Sequence, residues 1–153
     1  MSLCLVRHAK AGNRSRWDGP DDLRPLTESG RVQAEGLSAL MRDMPIAHIV
    51  SSPYVRCRQT VEPLAELLRL PVALSDALAE GASALDAFRL AEKFGDEDAV
   101  LCTHGDVLGA LLDHLVGLGV ALGPEPRGEK GSTWVIDVRD GKLGEARYLP
   151  PPT

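Results

Sequence analysis

Short apolar runs of strand length alternate along this chain with longer stretches whose apolar residues recur at helical spacing. That alternation restricts the fold more than any other feature of the sequence. LCLV (3–6), AHIVSS (47–52), PVAL (71–74) and AVLCT (99–103) read as strands. Between them, 27–44 reads as a helix carrying Leu37, Leu40, Met41 and Met44 on one face, and its T-E-S-G-R start suits an N-cap. A second helix over 54–70 recurs through Cys57, Val61, Leu64, Ala65 and Leu68, and two more are read over 83–94 and 106–116. STWVIDV (132–138) and GEARYL (144–149) close the chain as two strands around the turn-forming RDGK. Strands that alternate with helices form a mainly parallel sheet covered on both faces. The expected fold class is therefore α/β, a three-layer sandwich with a mostly parallel central sheet. One domain is expected over 1–149, with a Pro-rich tail, 150–153, ending the ordered fold.

In open α/β sheets, ligands bind at the carboxyl ends of the strands. Arg7 and His8 follow the first strand, Ser51, Ser52 and then Arg56 follow the second, and Thr103, His104, Gly105 and Asp106 follow AVLCT. His8 and His104 are far apart in sequence, so only the fold can bring them together on one rim.

Two histidines and two arginines at one rim suit a phosphoryl group. The guanidinium fork matches phosphate oxygens bidentately, and helix N-termini, where Arg56 and Gly105 are placed, offer free N–H groups to the same anion. A neutral imidazole in line with phosphorus is a nucleophile that needs no metal. A metal centre would want carboxylates or thiolates where these arginines stand, since a guanidinium repels a cation. No metal and no cofactor is expected. The net charge of −5 and the 4% aromatic content weigh against a nucleic-acid or anionic-membrane partner. No window is long and apolar enough to span a membrane and no leader is legible, so a cytoplasmic location is expected. Cys4, Cys57 and Cys102 form no CxxC pair; Cys4 and Cys102 read as small core residues.

The runs LVRHA, SSPYVRCRQT and THG, with an acidic Glu80 between the last two, together resemble the histidine phosphatase superfamily, the phosphoglycerate mutase-like fold, from Leu3 to about Val138. The resemblance implies that His8 is the nucleophile that becomes phosphohistidine and that Arg7, Arg56 and His104 form the phosphate pocket. The small size resembles the SixA-like branch, whose namesake removes phosphate from phosphohistidine on a signalling protein. RHAKAG, DDLRPLTESGRVQAEGL and KGSTWVIDV also resemble the histidine phosphatase half of actinobacterial Nudix fusion proteins, which act on nucleotide polyphosphates; the chain carries no Nudix box.

The general acid has three candidates, Glu80, Asp76 and Asp106, with Glu80 standing where relatives place theirs. An alkoxide needs that proton, whereas imidazole or phosphate leaves without it. Arg7, Lys10, Arg14 and Arg16 lie in one acid-free segment, which would steer an anion to the rim. Lys10 and Arg14 are expected to bind a second phosphate or an acidic surface, Ser52 and Gly105 to touch the first, and Trp17 to cover the loop. His48 and His114 are expected to be structural. The expected activity is that of a SixA-like phosphohistidine phosphatase. The alternatives are a nucleotide or other small-molecule phosphohydrolase and a non-catalytic phosphate-binding domain. The partner is accordingly a phosphorylated protein or a small phosphorylated molecule. A tight pocket of Lys10, Arg14 and Trp17 would favour a nucleotide, and an open rim a protein. Length and charge set no oligomeric state.

Overall fold

The computed structural model describes residues 1–124 and 128–152; Thr153, the end of the expected tail, lies outside the described residues. Six strands form one sheet in the order β3-β2-β4-β1-β5-β6. They are β1 (Ser2–Arg7), β2 (His48–Ser51), β3 (Val72–Leu74), β4 (Ala99–Thr103), β5 (Thr133–Arg139) and β6 (Lys142–Leu149). β3, β2, β4 and β1 run parallel, while β5 and β6 extend the sheet as an antiparallel hairpin. Four helices fill the crossovers: α1 (Glu28–Met41), α2 (Val55–Leu68), α3 (Ala84–Glu92) and α4 (Gly105–Gly117). The expected three-layer, mostly parallel α/β architecture is the one observed.

Period-two alternation on β1 sorts its side chains between two cores. Leu3 and Leu5 join the cluster built with α3 and α4, including Val107, Leu111 and the fully buried Trp134. Cys4 and Val6 join the opposite cluster with Leu37 and Met41 of α1 and Val61 and Leu64 of α2. Burial on both faces is why the parallel strands read as unbroken apolar runs. Cys4, its thiol pushed up to about 12 mainly by burial, and Cys102 are core residues as expected. Leu40 departs from the reading of α1, for it is exposed. The buried stripe runs instead through Gly30, Gln33, Ala34, Leu37, Ser38 and Met41, so the helix faces the core about one position round from the apolar count. Thr27 caps α1 by accepting from the Gly30 N–H, and the helix closes at Met41 rather than running to 44. The hairpin turn is Asp140-Gly141, both at positive φ (52° and 74°), as a two-residue right-twisting turn requires.

Register positions the rim. Arg7 pairs with Thr103 on β4, and Ser51 of β2 pairs with Cys102. The chain segments that follow, His8, His104 and Ser52, therefore leave the sheet side by side.

Candidate active site

His8 is the residue that β1 delivers to this rim. Its N–H donates to the Thr103 carbonyl (3.0 Å), and the next peptide is fixed by Ala9 N–H donating to Thr60 Oγ1 (2.9 Å), itself tied to the Arg56 carbonyl (2.7 Å). The imidazole Nδ1 lies 2.8 Å from the Ala9 carbonyl oxygen. A carbonyl only accepts, so Nδ1 carries the proton and Nε2 presents a lone pair. Burial, with the nearby His104, Arg56 and Arg7, lowers the His8 pKa to about 3 against the pull of its Ala9 hydrogen bond. The ring is neutral across the physiological range.

His104 faces His8 with ring centroids 5.5 Å apart. Ser52 Oγ lies 2.8 Å from His104 Nε2 and accepts from the Tyr54 N–H (3.2 Å). Cys57 Sγ stands 3.5 Å from the same Nε2, so that nitrogen is engaged from two sides while Nδ1 faces no partner among the described residues. His104 Nδ1, Arg7 Nε and Arg56 Nε are all buried with no hydrogen-bond partner among the described residues. Buried polar nitrogens are ordinarily satisfied, so three orphans on the residues that flank His8, two of them guanidinium N–H donors, suit an acceptor-rich guest.

Arg56, 1% exposed, is held by the loop that precedes α1. Its Nη1 donates to the Asp21 carbonyl (2.8 Å) and its Nη2 to Asp21 Oδ2 (3.0 Å), and the guanidinium lies 4.8 Å from the centre of the Tyr54 ring. Asp21 also pairs with Arg24 (3.0 Å) and Arg14 (3.4 Å), and these charge-assisted bonds hold its carboxyl below the ordinary carboxylate value against the opposing effect of burial. Arg24 in turn donates to the Gly12 carbonyl, closing the loop onto itself. Arg7 Nη1 donates to the Gly128 carbonyl (2.6 Å).

A cleft of about 630 Å³ opens over His8. Arg7, Arg14, His104, Gly105, Glu80 and Asp106 line it as the sequence suggests, together with Arg24 and Lys130, which sequence reasoning missed. Two expected substrate contacts stand elsewhere. Ser52 is fully buried beneath His104 and supports that ring instead of reaching the cleft. Lys10 follows the buried Ala9 and extends to the other side, into a neighbouring groove. Trp17 lines a separate hollow and donates to the Pro20 carbonyl (2.8 Å), so the pocket of Lys10, Arg14 and Trp17 that would favour a nucleotide does not form among the described residues. Of the acid candidates, Glu80 is engaged by Arg14 (2.8 Å) and Arg56 (3.6 Å), Asp106 accepts from the Gly81 N–H (2.8 Å), and Asp76 is exposed at the start of a short 3-10 helix, Asp76–Leu78, outside the cleft lining. His48 pairs with Glu97 (3.2 Å) and His114 packs on Phe88 (4.7 Å), both away from the rim.

Gly105 is there because Arg7 lies against it: a Cβ would stand 2.8 Å from Arg7 Cζ and 3.0 Å from Nε. Since the arginine end must move, Gly105→Ala is expected to weaken orthophosphate binding by about tenfold to a hundredfold, with little change in melting temperature. Calorimetric titration checks this, and unaltered binding would mean that Arg7 takes no part.

Comparison with known proteins bears on the same residues. The family model described as histidine phosphatase superfamily (branch 1) matches residues 3–86, more than half of the chain. The 8-oxo-(d)GTP phosphatase of Mycolicibacterium smegmatis is 40% identical over 157 residues, covering 99% of this chain and 48% of that protein. PhoE of Bacillus subtilis, described as an uncharacterized phosphatase, is 32% identical over 77 residues, 49% of this chain and 39% of that protein. The chain spans about half or less of the length of the curated relatives it matches. Among solved structures, the protein histidine phosphatase SixA complexed with tungstate superposes with a TM-score of 0.77 at 17% identity, covering 100% of this chain and 97% of that one. YhfR of Bacillus stearothermophilus superposes at 0.76 with 20% identity, covering 94% of each chain. These two likenesses are of fold.

Proposed function

The chain belongs to the histidine phosphatase superfamily, and from that premise we propose that it is a metal-independent phosphohydrolase that works through a phosphohistidine on His8 and acts on nucleoside di- or polyphosphates. The observation that carries the first half is the set of three buried nitrogens without a partner among the described residues, Arg7 Nε, Arg56 Nε and His104 Nδ1, on the residues that flank an imidazole whose Nδ1 proton is held by the Ala9 carbonyl; in this reading His104 donates from Nδ1. In the first step Nε2 attacks phosphorus in line, the N–P bond forms, and the bond to the leaving oxygen breaks. The three donors stabilise charge on the equatorial oxygens, where positioned groups do most in a water-poor site. In the second step water takes the phosphoryl group from His8, releasing inorganic phosphate and a proton and restoring the neutral ring.

The acids argue for the leaving group. Glu80 already accepts from Arg14 and faces Arg56, and Asp106 is committed through Oδ2 to Gly81. A site whose carboxylates are so engaged suits a group that leaves as a stable anion, such as the phosphate of an anhydride, over an alkoxide. A phosphohistidine, whose imidazole leaves as the neutral ring, also makes little demand on an acid in the site. The absence of a Lys10, Arg14 and Trp17 pocket among the described residues is the feature that favours a protein substrate; the nucleotide is preferred over it because the likeness that runs through 99% of this chain at 40% identity is to a protein named for a nucleotide substrate.

The test is a turnover panel with chelator present: an aryl phosphate, a phosphohistidine protein, and guanine and 8-oxoguanine nucleoside di- and triphosphates. Nucleotides are expected to lead by about tenfold or more in kcat/KM, a preference of roughly 1.4 kcal/mol. A lead for the phosphohistidine protein would move the chain to the signalling role, and no turnover of anything would make it a binding domain.

A further inference from the structure

Two lysines flank the active site without an ion pair among the described residues. Lys130 lines both the cleft over His8 and a second groove of about 770 Å³ between α1 and the C-terminal prolines; Lys10 lines the second groove. Partial burial, with the fields of Arg7, Arg24, Arg14 and Arg56, draws the Lys130 ammonium below its ordinary value. A cation among cations is a site that an anion would relieve.

Their placement is built, not incidental. Gly131, at φ +84°, donates its N–H to the carbonyls of both Arg7 (3.2 Å) and His8 (3.0 Å), so Lys130 is anchored directly beside the end of β1. Gln33, a largely buried polar residue on the inner face of α1, accepts from Lys10 N–H (2.9 Å) and donates to the Lys130 carbonyl (3.5 Å). One amide thus straps the two lysine backbones together. Beyond them the groove turns apolar. Val32 is 57% exposed there and faces Pro150–Pro152, which close against α1 so tightly that a Cβ at Gly36 would stand 2.5 Å from Pro152 Cβ. Among the described residues, Glu129 is the one acid lining this groove.

We propose that Lys130 and Lys10 form a second-phosphate subsite, holding the α-phosphate of a nucleoside diphosphate whose terminal phosphoryl group lies against His8, with the nucleoside lodged between Val32 and the prolines. This rests on the phosphohydrolase reading above and gives the leaving group its place. His8 Nε2 bonds to the terminal phosphorus, the bridging P–O bond breaks, and the nucleoside monophosphate departs as an anion stabilised by the lysines, with no protonation required.

The experiment compares pyrophosphate and orthophosphate binding by calorimetry in the wild type and in Lys10→Ala/Lys130→Ala. Gln33 holds main-chain atoms, so the strap survives the substitutions; circular dichroism checks the fold. The wild type is expected to prefer pyrophosphate, and the double variant to lose that preference by roughly tenfold or more, the size of one charge-assisted contact. An equal preference in both proteins overturns the subsite. Single Lys130→Arg, which keeps the charge, is expected to keep most of the preference. Because binding is read without turnover, a subsite that passes in a protein inactive on the whole panel would leave the subsite standing and remove the phosphohydrolase reading.

Discussion

His8→Ala is expected to abolish turnover of every substrate in the panel, by at least about 10⁴-fold, while the protein stays folded. Removing a nucleophile takes away the covalent route itself, and the donors that remain supply only binding and orientation. Phosphorus-31 NMR of enzyme quenched in alkaline denaturant should show a phosphoramidate signal in the wild type and none in the variant. Activity surviving the substitution would exclude the mechanism. The same variant reports on pH. The His8 pKa is lowered on folding, from the ordinary 6.5 to about 3, chiefly by burial. As pH falls from 6.5 toward 3, the unfolded chain takes up a proton at His8 that the folded chain refuses, so this residue's effect is to lower stability progressively through that window. Carboxylates titrate over part of the same range, so the quantity to measure is the difference between wild type and His8→Ala. Urea midpoints of the wild type should fall more steeply than those of the variant between pH 6.5 and 4. Parallel curves would mean that the ring is not held neutral.

What the sequence made legible follows from which features are local. β1, β4 and the cap at Thr27 announce themselves through apolar runs and side-chain chemistry within a few residues, and the rule for strand ends then places His8, His104 and Arg56 near one rim. The register that pairs Arg7 with Thr103 makes that placement close. The segments that were not legible take their positions from long-range closure. Asp21 reaches Arg56 across thirty-five positions of sequence, and Lys130 reaches the rim only because Gly131 bonds back to Arg7 and His8. Lys10 illustrates the same limit in the other direction. Proximity to His8 in sequence suggested the cleft, yet its N–H is tied to Gln33 and its side chain lines the next groove. Gln33 did carry a signal: a glutamine four residues before Leu37 on a buried helix stripe needs buried partners, and those partners are the backbones of the two lysines. Ser52 likewise sits next to the site-forming elements in sequence, but its burial beneath His104 makes it a support for that ring.

Arg56 is where the second large effect is expected, because all of its donor geometry is already assigned. Nη1 and Nη2 each place an N–H on Asp21, Nη2 also stands 3.6 Å from Glu80, and Nε is buried without a partner among the described residues. The loop therefore fixes the orientation of the fork without engaging Nε. Lysine has a single ammonium on a flexible stem and cannot hold two Asp21 acceptors while offering a third contact in a fixed direction. Arg56→Lys is accordingly expected to behave nearly as badly as Arg56→Ala, each lowering kcat by about 10²- to 10³-fold, the cost of one preorganised donor to developing charge. Asp21→Asn separates orientation from charge. The Asp21 carbonyl still accepts from Nη1 and the asparagine side-chain oxygen can still accept from Nη2, so the fork stays in place and the loss should remain within about tenfold. Steady-state kinetics on one nucleotide and on the aryl phosphate read all three variants. If Arg56→Lys kept more than about a tenth of wild-type kcat, a point charge would suffice at this position and the orientation imposed by Asp21 would have no catalytic purpose.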